Sequence, residues 1–230
     1  MVKCVSKAMI FLCGASGIIS FLLLTGPTGT REAPVLTALS PGRAAYAQSA
    51  AHVSYRVVAP QSETRYRVRE QLAGFNLPND AVGATRAIEG TIVLDAQGGI
   101  LSSESRLTVD MTKLQSDKDR RDSYIRRNTL ETDRYPTTLF VPTEVRGLPF
   151  PLPQSGTTSF ELIGDLTVRG VTKRVTWAAT ADFNGQDIRV QAKTAFRFEE
   201  FGISIPRVAS VLSVDDHIQL EADLMLRPRS

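Results

Sequence analysis

The sequence predicts an all-β fold whose antiparallel strands close into a barrel, and three observations carry that expectation. From Val53 onward apolar residues recur at every second position, as in Leu107, Val109 and Met111, or in Phe160, Leu162, Leu166 and Val168. That period turns one face of an extended strand toward an apolar interior. Asn184-Gly185 supplies the pair that a two-residue hairpin turn favours. Similar runs separated by turn signals recur along the chain to give about eight or nine strands, whose open edges a closed barrel would hide.

Before the first strand, Lys3 and Lys7 precede an apolar run from Ala8 to Leu24. This is the charged start and apolar stretch of an export signal, so residues 1–24 are expected to be a signal peptide or an N-terminal membrane anchor. Two endings compete. Ala45-Tyr46-Ala47 is an A-x-A cleavage pattern and is favoured, but it lies far beyond Leu24, and the run is just long enough to cross a bilayer uncleaved. Residues 25–52 are rich in Pro, Gly, Ala and Thr without periodicity and read as signal tail and linker. The folded domain is expected over residues 53–230. Its location would be extracytoplasmic, periplasmic or secreted.

Strands are expected near 54–58, 64–72, 86–95, 100–111 and 138–146. Ser116 opens a charged stretch with Asp119 three residues later, the start signal of a short surface helix over the region Asp117 to Arg127. Its closely mixed charges read as a solvated face. Farther on, a tight turn at Asn184-Gly185 would place Ala181 opposite Ile188, Ala179 opposite Val190 and Trp177 opposite Ala192. A second turn at Arg169-Gly170 would set Leu162 opposite Trp177 and Phe160 opposite Ala179. Ile218, Leu220, Ala222, Leu224 and Leu226 continue the alternation in a last strand from Asp216.

Composition narrows the function. The formal charge of +3 is accounted for entirely by Lys3, Lys7, Arg31 and Arg43 against Glu32, so the domain is neutral. It lacks the basic excess that drives nucleic-acid binding. Both cysteines, Cys4 and Cys13, precede the domain, which leaves no thiol chemistry or disulfide within it. No G-x-S-x-G, H-E-x-x-H or phosphate-cradling glycine string occurs in the body, so no catalytic residue, metal site or cofactor is expected. Asp215-Asp216-His217 does not read as a metal site, because strand neighbours point to opposite faces. An outer-membrane barrel would need aromatic girdles at both strand ends, whereas the aromatics here cluster in mid-domain.

Gly164-Asp165-Leu166-Thr167-Val168-Arg169-Gly170-Val171-Thr172-Lys173 resembles the G-x-L-T-I-R-G-V-T-K stretch of the YceI family of exported bacterial proteins. Arg121-Asp122, then Tyr135-Pro136 and Phe140, then Phe201-Gly202-Ile203 and Val214-Asp215 follow the family's order. Departures are Ser123-Tyr124, Phe198, Glu200 and Arg174, where many members carry other residues. The resemblance covers most of Ser54 to Leu226 and implies an eight-stranded, lipocalin-like antiparallel barrel that binds a lipid or polyisoprenoid without catalysis.

Periodicity alone gives one pattern for a packed core and for a ligand cavity. The resemblance favours the cavity, with Tyr66, Val68, Leu107, Val109, Phe160, Leu162, Trp177, Ala179, Phe183, Val190, Phe196, Phe198 and Leu220 as its apolar wall. The alternative is a solid extracytoplasmic interaction module acting through its surface helix and loops.

Overall fold

The computed structural model of the protein describes residues 52–74, 77–207 and 211–229. The export segment, both cysteines and almost all of the expected linker lie outside the described residues. Within them, eleven strands form one antiparallel sheet: β1 (Val53–Val57), β2 (Glu63–Leu72), β3 (Asn79–Thr85), β4 (Ile88–Leu94), β5 (Arg106–Asp110), β6 (Gln115–Ser116), β7 (Thr137–Arg146), β8 (Ser155–Val168), β9 (Val171–Asn184), β10 (Asp187–Arg197) and β11 (Val211–Pro228). One short helix, α1 (Asp119–Tyr124), continues into a π-helical turn, Ile125–Thr129.

The ring closes through eight of these strands, β1-β4-β5-β7-β8-β9-β10-β11, because β11 pairs back onto β1. Closure depends on the length of β11. One edge runs along β10 from Arg197↔His217 to Ile188↔Leu226, while the other pairs first with β2 and then with β1. β1 and β2 therefore share one edge, separated by a 3-10 turn at Ala59–Gln61. Ser62 makes the join. Its hydroxyl donates to the Val58 carbonyl at 2.9 Å and accepts from the Met225 N–H at 3.0 Å, replacing the backbone acceptor that the turn takes out of the ladder. From β2 a branch of β3 and β6 extends the sheet beyond the ring.

Sequence and structure differ in particular places. β3 escapes the pattern because Ala81, Gly83 and Ala84 carry little β propensity. Gly83 is nevertheless required, since a Cβ there would lie 2.3 Å from the Tyr66 ring across the β2–β3 pair. β5 is shorter than expected, and β11 begins earlier, with irregular register around Val211–Ile218.

The Arg169-Gly170 turn has both central φ angles positive, 50° and 75°, and its register matches the expectation, Leu162↔Trp177 and Phe160↔Ala179. The strained Arg169 is held by its guanidinium, which donates to the Gly202 carbonyl at 3.1 Å and pairs with Glu131. The Asn184-Gly185 expectation is corrected. Asn184 pairs with Asp187, so the two-residue loop is Gly185-Gln186 with glycine first (φ 63°), the pattern of a type II′ rather than a type I′ turn. The pairs become Phe183↔Ile188, Ala181↔Val190 and Ala179↔Ala192. Each partner moves by two residues, so every side chain keeps its face.

The helix expectation is also refined. Asp122, not Asp119, reaches back to the Ser116 N–H, at 2.9 Å, and Asp122 is buried. Among the described residues no helix is long and apolar enough to cross a membrane.

Candidate ligand cavity

Inward side chains of the ring, together with residues of β2, β3 and the α1 segment, line a cavity of about 720 Å³, within the range of small-molecule sites. Twelve of the thirteen sequence-predicted residues lie on its wall. From β2 come Tyr66 and Val68, from β5 Leu107 and Val109, and from β8 Phe160 and Leu162. β9 supplies Trp177 and Phe183, β10 supplies Val190 and Phe196, β11 supplies Leu220, and Phe198 follows β10 in a 3-10 turn. Trp177 meets Phe140 edge-on, with centroids 5.8 Å apart, and Phe196 packs against Phe201 at 4.4 Å. Ala179 is the exception. It is buried between Phe160 and Ala192 but does not reach the cavity.

The registers explain why the interior is not filled. Phe160, Ala179, Ala192, Ala222, Thr64 and Thr85 lie opposite one another in turn across six strands, β8 to β11 and then β2 and β3. Five consecutive members of that row are small, and four of them, Ala192, Ala222, Thr64 and Thr85, line the cavity. On the neighbouring inward level Leu162 and Trp177 on β8–β9 and Leu220 and Tyr66 on β11–β2 are joined by the smaller Thr194 on β10 and Gly83 on β3. A belt of small side chains beside a level that mixes large and small ones leaves width that a packed core would occupy.

Several wall residues lie outside the sequence-based set. Ile88, Ile92 and Leu94 alternate along β4 and carried a usable periodic signal. Leu148, Leu152, Ile203 and Pro206 sit in loops, where no period marks them. Tyr124 and Ile125 come from the charged segment expected to face only solvent; the segment of Lys118 and α1 instead borders the cavity through Lys118, Arg120, Arg121 and Tyr124, the first two of them also exposed.

At this end Arg121 donates to Glu70 of β2 at 2.7 Å, with only 16% and 8% of the two side chains exposed, and it also pairs with Asp117. Burial raises the Asp117 carboxyl, but the hydrogen bond and charge of Arg121 outweigh it and hold the group below its usual value. The Tyr66 phenol is pushed well above its usual value by burial, against the opposing pull of Arg121. Its hydroxyl and the Trp177 indole nitrogen are enclosed without a hydrogen-bond partner among the described residues.

The arginines of β2 form an ion-pair ladder, of which Arg65 and its partner Glu221 also border the cavity. Arg65 meets Asp223 at 3.1 Å, Arg67 meets Asp80 at 3.2 Å and Glu221 at 3.3 Å, and the exposed Arg69 meets Asp80 at 3.5 Å. On β11, Asp216 is tied to Arg197 and Asp215 to His217, so the run Asp215-Asp216-His217 is divided between two partners.

Residues 55–226 match the family model described as the YceI-like domain. A UPF0312 protein of Pseudomonas putida is 32% identical over 115 residues, 46% of this chain and 56% of that protein. The chain thus matches a little over half the length of that relative. Among solved structures, a polyisoprenoid binding domain from Saccharophagus degradans superposes with a TM-score of 0.61 at 12% identity, covering 77% of this chain and 99% of that one. BcnA of Burkholderia cenocepacia superposes with a TM-score of 0.54 at 16% identity, covering 74% of this chain and 98% of that one. At such identities these likenesses speak to the fold.

Proposed function

Because the chain belongs to the YceI-like domain family, we propose that its barrel binds and carries an apolar, lipid-like ligand of the polyisoprenoid class, without catalysis. The observation that carries this reading is the cavity of about 720 Å³ behind a predominantly aliphatic and aromatic wall. Burying a chain there stabilises by about 0.8 kcal/mol per methylene before the costs of ordering it. An apolar wall discriminates length and girth more than chemistry. The reading is supported by the Saccharophagus degradans domain of the same fold, which is described as polyisoprenoid binding. Arg121 on the wall is tied to Glu70 and Asp117.

The proposal places the protein outside the cytoplasm, from the charged start and apolar run of residues 1–24. N-terminal sequencing after expression in a secretion-competent host tests this: a start near Gln48 means cleavage, and Met1 in a membrane fraction means an anchor. The ligand is tested by solvent extraction of purified protein followed by mass spectrometry. A stoichiometric long-chain lipid is expected; protein that yields none and binds none when offered prenyl alcohols would sink the carrier reading in favour of a solid interaction module.

A further inference from the structure

The cavity is apolar almost throughout, and its charged lining is gathered mainly where α1 meets the end of β2. Lys118, Arg120, Arg121 and Glu70 line the cavity there, three cations against one carboxylate, while Asp117, Asp119 and Asp122 of the same segment are not part of the wall. Arg65 and Glu221, the other charged lining residues, are paired with each other and with Asp223 and Arg67. The three cations are not equivalent. Arg121 is occupied by Glu70 and Asp117, and Lys118 stands 3.7 Å from Asp117 with both groups well exposed. Arg120 has no carboxylate within ion-pairing distance among the described residues. Farther along, Arg126 and Arg127 donate to the carbonyls of Leu114 and Ser123, contacts that leave their positive charge uncancelled.

A chain lying in the barrel would have its head at this end, beside an unpaired guanidinium whose planar fork matches a carboxylate or a phosphate. An anion placed elsewhere along the wall would be buried unpaired, at prohibitive cost. Resting on the reading of the barrel as a lipid site, we propose that the ligand is an anionic amphiphile, its carboxylate or phosphate held by Arg120 with Lys118 at the α1 end and its chain in the barrel. Arg121 is a positioning residue, which fixes α1 to β2 through Glu70.

The test uses delipidated full-length protein with matched pairs of probes: palmitate against hexadecanol, and farnesyl phosphate against farnesol. Trp177 is the sole tryptophan and lines the cavity, so its emission reads binding directly. Each anion is expected to bind about tenfold or more tighter than its alcohol, the worth of one charge-assisted hydrogen bond, and the preference should shrink with added salt. The larger preference of the two pairs identifies the anion as carboxylate or phosphate. Arg120→Gln, and separately Lys118→Gln, should reduce the preference while leaving hexadecanol and farnesol affinities unchanged. Equal binding of anion and alcohol by the unmodified protein, or a preference indifferent to salt and to both substitutions, overturns the proposal. If no probe binds at all, the lipid-site reading itself fails, an outcome distinct from alcohols binding as well as anions.

Discussion

Two alanines on the barrel's inward face distinguish a cavity from a packed core. Ala179 is buried between Phe160 and Ala192 away from the cavity, whereas Ala222, between Ala192 and Thr64, is on its wall. Ala179→Trp forces an indole into filled space and should cost about 1–3 kcal/mol, which for a domain of this size lowers the melting temperature by roughly 2–12 °C. Ala222→Trp has a cavity of about 720 Å³ before it and should cost less than about 1 kcal/mol. It should also displace ligand, since an indole contributes about 150–250 Å² of surface where a chain would lie. The assay is paired: thermal unfolding of both variants, and mass spectrometry of their solvent extracts. Equal destabilisation of the two, with the lipid content of Ala222→Trp unchanged, would show that the space beside Ala222 is not where the ligand lies.

Three further substitutions test how the barrel is held together. Ser62→Ala leaves the Met225 N–H without its partner at the join of β1 and β2 and should destabilise by about 1–3 kcal/mol in denaturant unfolding; no change would mean that the bridge is not needed for closure. Gly185→Val meets no atom within 4 Å but must adopt φ 63°, so its cost of about 1–3 kcal/mol is conformational, and Gly185→Asn should recover most of it. Similar melting temperatures for Val and Asn would contradict that account. Burial raises the Glu221 carboxyl, but hydrogen bonds from Arg67 and Gln219 outweigh it and hold it below 4.5. A carboxyl lowered on folding contributes stability above its unfolded value, lost as pH falls through the folded one. Glu221→Gln should therefore narrow its stability deficit as the pH is taken below about 4.5, and a deficit constant from neutral to acid pH would remove Glu221 from the linkage.

Parts of the barrel were legible in the sequence because a face repeats every two residues. Inward and outward positions of β8 to β11 follow from that period alone, and the β8–β9 register follows from the turn placed at Arg169-Gly170. Other parts have no local signature. β3 is built of small residues whose place is fixed by Tyr66 across the sheet, and Tyr124 reaches the cavity because Arg121 finds Glu70, fifty-one positions away in the chain. The segment around α1 reads as a solvated face in any local window, and its second role depends on a contact that no window contains.

The difference between core and cavity lay one step beyond the pattern, in which residues share a level. With the turn placed at Asn184-Gly185, Ala179 would oppose Val190, and a bulky side chain would interrupt the row. With the loop at Gly185-Gln186, Ala179 opposes Ala192, Ala192 opposes Ala222, and Ala222 opposes Thr64. Five small residues, Ala179 to Thr85, then fall side by side, and the four beyond Ala179 border the cavity. A register change of two residues preserves every face, so hydrophobic alternation is blind to it. It does not preserve size matching across strands, and size matching is what separates an open interior from a filled one. The conformation of one two-residue turn thus sets whether Ala179 of β9 joins the small residues of β10, β11 and β2 in one row.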